Sequence, residues 1–250
     1  MMSEDNPSSA EIADADRTQN RFSSYHGALG EAGVREPMLG LDAAFLANPG
    51  EMTAVNPPPG GFETVYAGCS WNIQKTKRSG FFGQIFGFSK KQRADIDLGC
   101  LVELMDGSRF AIQALGDVHG AYDDPPFVLL SPDERTGARE DDDEFLYING
   151  EKWPMVKRVL VYAYIYGGVA SWADVRPVMS VFVPGHPSIV LSPRTSVDKL
   201  DVCALVLFEN SRDGMKVTNL SEYFPGQAEM DRAYGFGLSW AQGAKQNTRS

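Results

Sequence analysis

The chain has 250 residues, 43% of them hydrophobic, and its 23 lysines and arginines stand against 33 aspartates and glutamates for a formal charge of −10. That balance disfavours a binder of double-stranded DNA, whose phosphates reward basic surfaces, and the apolar content suffices for a sizeable core, which excludes disorder throughout. The longest nearly apolar run, 159–173, is broken by two glycines and a serine and falls short of the roughly 20 residues of a membrane-spanning helix.

Residues 1–60 are acidic and rich in Pro, Ser and Gly, with nine acids against three arginines and the breaker Pro57-Pro58-Pro59-Gly60-Gly61 at the end. They read as a largely disordered tail, within which Met38 to Leu46 has the near-helical apolar spacing of a short docking helix. The acidic start, MMSEDNPSSAEIADAD, lacks the basic and then apolar signature of an export signal. Cys69, Cys100 and Cys203 form no C-x-x-C pair, so neither a disulfide framework nor a thiolate zinc site is indicated. A cytoplasmic, soluble protein is the expectation.

From residue 61 to 242 the pattern is β, with residues 243–250 as a C-terminal tail. Strands are predicted at 62–73, 126–130, 178–183, 187–192, 202–209 and 215–219. Ile96, Leu98, Cys100, Val102 and Leu104 alternate onto one face before the turn pair Asp106-Gly107, and Phe110 to Leu115 returns, which describes a half-buried hairpin. Val159 to Tyr166 is apolar on both faces, as a central strand covered on both sides requires. Asn149-Gly150 and Asp213-Gly214 are further turn pairs, and short helices are predicted near Ser171 to Val175 and Gln227 to Tyr234. With no long amphipathic helix to cover a parallel sheet, the fold class is all-β: a two-sheet antiparallel β-sandwich with short helices. The C-terminal MDRAYGFGLSW is expected to close one edge of it.

Between the first two strands, the segment 75–93 brackets Phe81, Phe82, Ile85, Phe86 and Phe88 with Lys75, Lys77, Arg78, Lys90, Lys91 and Arg93, and no acid interrupts it. Such a loop suits docking to an anionic membrane at about 1 kcal/mol per basic residue, or to an acidic partner, the chain's own tail included. Stacking of single-stranded RNA on the rings is a third use. Alternatively the phenylalanines fill the core and the lysines solvate the strand ends.

The acids carry the densest chemistry. Asp133, Glu134 and the run Glu140, Asp141, Asp142, Asp143, Glu144 crowd one segment, and Asp95 and Asp97 are spaced by two on a predicted strand. Two carboxylates 4 Å apart repel by about 4 kcal/mol at an effective dielectric near 20, so acids that converge want a cation while splayed acids in solvent do not. Hard oxygen donors without His or Cys select calcium or magnesium, and the flexible multi-carboxylate supply favours calcium. The EF-hand spacing is absent, so a site would be built from loops at one end of the sandwich.

Trp71-Asn72, the strand DIDL at 95–98 and DERTGAREDDDE at 133–144 together resemble the tellurium-resistance TerD family, and DLGCLVEL, KRVLVYAYIY and MDRAYGFGLSW are closest to its TerA-type members. The resemblance covers about residues 62–240. It implies a calcium-binding sandwich of bacterial stress responses with Asp95, Asp97, Asp133, Asp142, Asp143 and Glu144 as metal ligands, a nonenzymatic binding or scaffold role, partners among the other tellurium-resistance proteins, and association with the inner membrane surface. Asn72 replaces the usual Asp of the pattern, Glu134 its Asn, and Ala138-Arg139 its Glu-Gly, departures that imply weakened calcium binding or loss of a site. Two alternatives stand beside this reading: a calcium-independent adapter working through the basic aromatic loop (Lys77, Arg78, Phe81, Phe82, Phe86, Lys90, Lys91), and, more remotely, a metallophosphoesterase-like hydrolase at Gly116-Asp117-Val118-His119-Gly120, a motif that lacks its downstream Asn and His partners. Cys100 and Cys203, inside predicted strands, read as buried and inert.

Overall fold

A computed structural model describes residues 43–70, 95–114, 116, 118–131, 144–167, 171–172, 177–193 and 200–240. In these, thirteen strands form two sheets. The seven-stranded sheet runs β1 (Ala44–Phe45), β11 (Ile189–Leu191), β10 (Val178–Phe182), β3 (Val65–Ser70), β8 (Glu144–Ile148), β7 (Val128–Leu130), β6 (Gly120–Ala121). The six-stranded sheet runs β2 (Met52–Val55), β13 (Gly214–Phe224), β12 (Val202–Ser211), β9 (Val156–Gly167), β4 (Asp95–Leu104), β5 (Arg109–Gln113). Neighbours are antiparallel except β1, which lies parallel to β11. A 3-10 turn (Gly150–Met155) precedes β9, and one helix, α1 (Gln227–Tyr234), follows β13. No helix among the described residues is long and apolar enough to cross a membrane.

Alternation along the strands builds the core between the sheets. Ile96, Leu98, Cys100, Val102 and Leu104 of β4 meet Val65, Ala67, Cys69, Leu146 and Ile148 from the opposite sheet, all buried, the side chains of every second residue pointing inward. The hairpin β4–β5 turns where predicted: Gly107 takes φ +87°, and the Asp106 carboxylate accepts the Ser108 N–H at 2.8 Å. In β12 a bulge between Ala204 and Val206 shifts the register. Cys203 before it, the bulged Leu205, and Val206 and Phe208 after it therefore all face inward, which plain alternation does not foresee.

The reading of 1–60 as tail needs correction at its end. Residues 44–45 and 52–55 are strands β1 and β2, one in each sheet. Buried Asn219 on β13 explains their attachment: its side-chain amide donates to the Leu46 carbonyl at 2.8 Å, while its backbone exchanges hydrogen bonds with Gly50 and Glu51. The Glu51 carboxylate in turn accepts the N–H groups of Ala47 and Asn48. Of the expected docking helix at 38–46, residues 44–45 are strand, and the part before residue 43 lies outside the described residues.

The C-terminal stretch covers a face, not an edge. Met230 on α1 and Phe236 just after it are buried against Leu101, Leu160, Tyr162, Tyr164, Val202 and Ala204, the outward side chains of β4, β9 and β12. Those central strands are apolar on both sides because both sides are covered, as the doubly apolar β9 sequence indicated.

Candidate functional site

The hydrogen-bond register brings the ends of the acid-bearing and base-bearing segments to one rim. Cys69, next to the last residue of β3, pairs with Glu144, the first residue of β8, and the Ser131 N–H donates to the Phe145 carbonyl at 2.8 Å. The segment 132–143 therefore leaves and returns beside the point where 71–94 departs. On the opposite sheet Asp95 opens β4, opposite Gly167 of β9. One contact ties the two sheets at this rim: the Glu144 Oε2 accepts the Leu98 N–H at 2.5 Å. The reason lies in strand lengths. β5 ends at Gln113, the partner of Gly99, so the first residues of β4 have β9 on one side only, and a carboxylate from the facing sheet satisfies the amide left open on the other.

Of the six predicted ligands, Asp97 and Glu144 are fully described. Asp97 alternates with the core residues Ile96 and Leu98 and so projects from the outer face beside its cross-strand neighbour Tyr164, whereas Glu144 approaches the same strand from the inner side and edge. The two thus meet adjacent positions of β4, Asp97 on its outer face and Glu144 at the amide of inward-facing Leu98. The backbone of Asp95 is in place in β4, while its side chain, and Asp133, Asp142 and Asp143, lie outside the described residues, as do Lys77, Arg78, Phe81, Phe82, Phe86, Lys90 and Lys91. Among the described residues no group of three His, Cys, Asp or Glu side chains is placed to hold a metal.

The Gly116–Gly120 motif forms the connection from β5 to β6. Val118 bridges to Gln113, the His119 carbonyl accepts the Leu130 N–H at 2.8 Å, and Gly120 takes φ +82°. A Cβ at Gly120 would stand 2.2 Å from the Val128 carbonyl oxygen, so this glycine serves a close strand approach. Asp117 lies outside the described residues. All three cysteines are free and buried; burial pushes the Cys203 thiol up to about 12 and the Cys100 thiol higher still, which disfavours the thiolate of these two at neutral pH.

A charge cluster that sequence reading passed over lies at the other end of β4. Buried Glu103 receives Lys157 Nζ at 3.0 Å, Arg158 Nε at 2.6 Å and Arg109 at 3.5 Å. Arg158 then donates to the carbonyls of Tyr234 and Gly235 at 2.8 and 3.1 Å and lies 4.0 Å over the Phe236 ring. Cation and helix C-terminus attract through the helix dipole, and the contact fixes the C-terminal segment on the sheet. The signal in the sequence was Glu103 among outward positions of a strand otherwise apolar at its centre, but its partners are cross-strand neighbours that only the register reveals.

Over 166 residues, 66% of this chain, the sequence is 40% identical to the tellurium resistance protein TerA of Alcaligenes sp., and the match takes in 48% of that protein. The chain thus spans about half the length of the curated relative it matches. No family model matches it.

Proposed function

We propose that the chain is a member of the tellurium-resistance group and acts as a nonenzymatic, calcium-responsive binding module. In this reading Asp95, Asp97, Asp133, Asp142, Asp143 and Glu144 supply the oxygens, and calcium orders the rim into a surface for other tellurium-resistance proteins or for the inner membrane surface. The similarity to TerA supports the group. The observation that carries the calcium reading is the Glu144–Leu98 hydrogen bond, which sets the last acid of the cluster beside the Asp95–Asp97 strand. Calcium would relieve the mutual repulsion of the carboxylates that converge on it and favour the ordered rim over the open one.

The test is thermal unfolding of the full chain with calcium added to a chelator-treated sample. Calcium at 100 times its dissociation constant adds about 2.7 kcal/mol, and the shift should shrink in Asp97→Asn and vanish in the double variant Asp142→Asn/Asp143→Asn. An unmoved melting temperature at millimolar calcium overturns the calcium reading. The adapter reading rests on the basic and aromatic composition of 75–93: flotation with anionic liposomes, lost on changing Phe81, Phe82 and Phe86 to Ser without any calcium requirement, would favour it instead.

A further inference from the structure

The sandwich offers its sulfur atoms to solvent very unequally. All three thiols are enclosed, Cys69, Cys100 and Cys203 at 0% exposure, and of the six described methionines Met179, Met215 and Met230 are buried to the same degree. Met52, Met105 and Met155 stand out in water at 59%, 54% and 50%. Two of these three are neighbours. β4 and β9 pair as far as Leu104 opposite Val156, and one step beyond them the Met105 N–H donates to the Met155 carbonyl at 2.9 Å. Leu104 and Val156 belong to the core between the sheets, so the residues next to them turn outward. Side chains directly opposed on antiparallel strands have Cβ atoms about 4.5–5.5 Å apart. The two thioethers therefore share one exposed patch, at the end of the sandwich away from the acid-bearing rim.

Local structure holds the pair there. Met105 leads into the Asp106-Gly107 turn, where the Gly107 N–H donates to the Leu104 carbonyl at 3.1 Å. Met155 ends the 3-10 turn Gly150–Met155, which Trp153 pins to the core: its indole donates to the Gly214 carbonyl at 3.3 Å, and its own carbonyl accepts the Asn210 side-chain amide at 2.7 Å. The backbone at both residues is fixed, and only side-chain rotation is left to the sulfurs.

We propose that Met105 and Met155 form a paired, reversible oxidation site whose substrate is hydrogen peroxide or a related small peroxide. The sulfur lone pair attacks one peroxide oxygen, and the O–O bond breaks as the S–O bond forms. The departing hydroxide takes the proton of the transferred oxygen and leaves as water. Each sulfur is thus oxidised by two electrons and each peroxide reduced by two. The product is methionine sulfoxide, a polar side chain that methionine sulfoxide reductases return to the thioether. Two opposed apolar side chains become polar together, which weakens the closing rung of the β4–β9 ladder. Susceptibility follows exposure, so the buried thiols are spared. Met52 lies on the edge strand β2 opposite Thr218, with no second sulfur across from it, and its oxidation leaves the ladder intact.

The test treats the full chain with increasing hydrogen peroxide and follows every methionine and cysteine by peptide mass spectrometry alongside the melting temperature. Met105 and Met155 should each gain one oxygen on the order of tenfold faster than Met179, Met215 and Met230, with all three thiols still titratable after unfolding. The melting temperature should fall by about 2–4 °C, the size of one lost contact in a domain of this length, and recover on treatment with methionine sulfoxide reductases. Met105→Leu/Met155→Leu is a volume-conserving exchange at exposed positions. It should keep the untreated melting temperature and lose the peroxide-induced fall, whereas Met52→Leu should keep that fall. Cysteines oxidised ahead of the pair, or buried methionines oxidised at the same rate, overturn the proposal. So does a melting temperature that peroxide leaves unmoved, or a fall that persists in the double variant.

Discussion

Glu103 shows how one residue's environment sets its chemistry. Burial by itself would raise its carboxyl pKa, yet the hydrogen bonds and charges of Lys157 and Arg158 outweigh that and hold it below the ordinary 4.5. A carboxyl depressed by folding stabilises the native state above its unfolded pKa, and the contribution fades as pH falls through the folded value. Glu103→Gln should therefore cost about 1–3 kcal/mol at neutral pH, a difference that urea titrations will find shrinking below about pH 4.5. Arg158→Met removes the partner that also holds Tyr234 and Gly235. Losing one member of a buried pair costs about 3–5 kcal/mol, and the remaining cations Lys157 and Arg109 place this case at the lower end. The sequence displayed the acid and the bases but not their meeting, because Glu103 and Arg158 are 55 residues apart.

At the scale of elements, the C-terminal segment is held from within by Asp231, buried at the end of α1. Its carboxylate accepts the N–H groups of Gly237 and Leu238 at 2.7 and 2.8 Å and the Trp240 indole at 2.7 Å. The helix stops at Gly235, whose φ of +66° is a left-handed cap that glycine adopts without strain. Asp231→Ala should free residues 236–240 from the sheet, reported by a red-shifted Trp240 emission and by faster amide exchange in β9 and β12, with a loss of about 3 kcal/mol from hydrogen bonds to a charged acceptor. The helix at Gln227 to Tyr234 was predicted from the sequence and is found there. Its destination was not, since an apolar stripe states that burial is needed and not against what. β1 and β2 escaped notice for a different reason: two- and four-residue strands are too short to show a period, and their place depends on Asn219, far along the chain.

For the molecule as a whole, the core is continuous between the sheets and includes Cys69, Cys100 and Cys203. Thiol reagents should leave all three unreacted in the native protein at neutral pH and label them together across the urea transition, as expected when one cooperative unit unfolds. Early labelling of one cysteine would mean that its strand opens on its own.

The sequence by itself determined the class of fold, because strand alternation and turn pairs such as Asp106-Gly107 are local and act on a few neighbouring residues. It also determined where the acids and bases fall along the chain. The tertiary structure alone decided that Glu144 reaches the amide of Leu98, that Glu103 is ringed by cations, and that one outer face is covered by the C-terminal segment while the described outward positions of the other, Tyr66, Tyr147, Phe145 and Phe182 among them, carry no charge. Each of these depends on which strands become neighbours and in what register, a choice made by the summed packing of residues distant in the chain and written in no single segment of it.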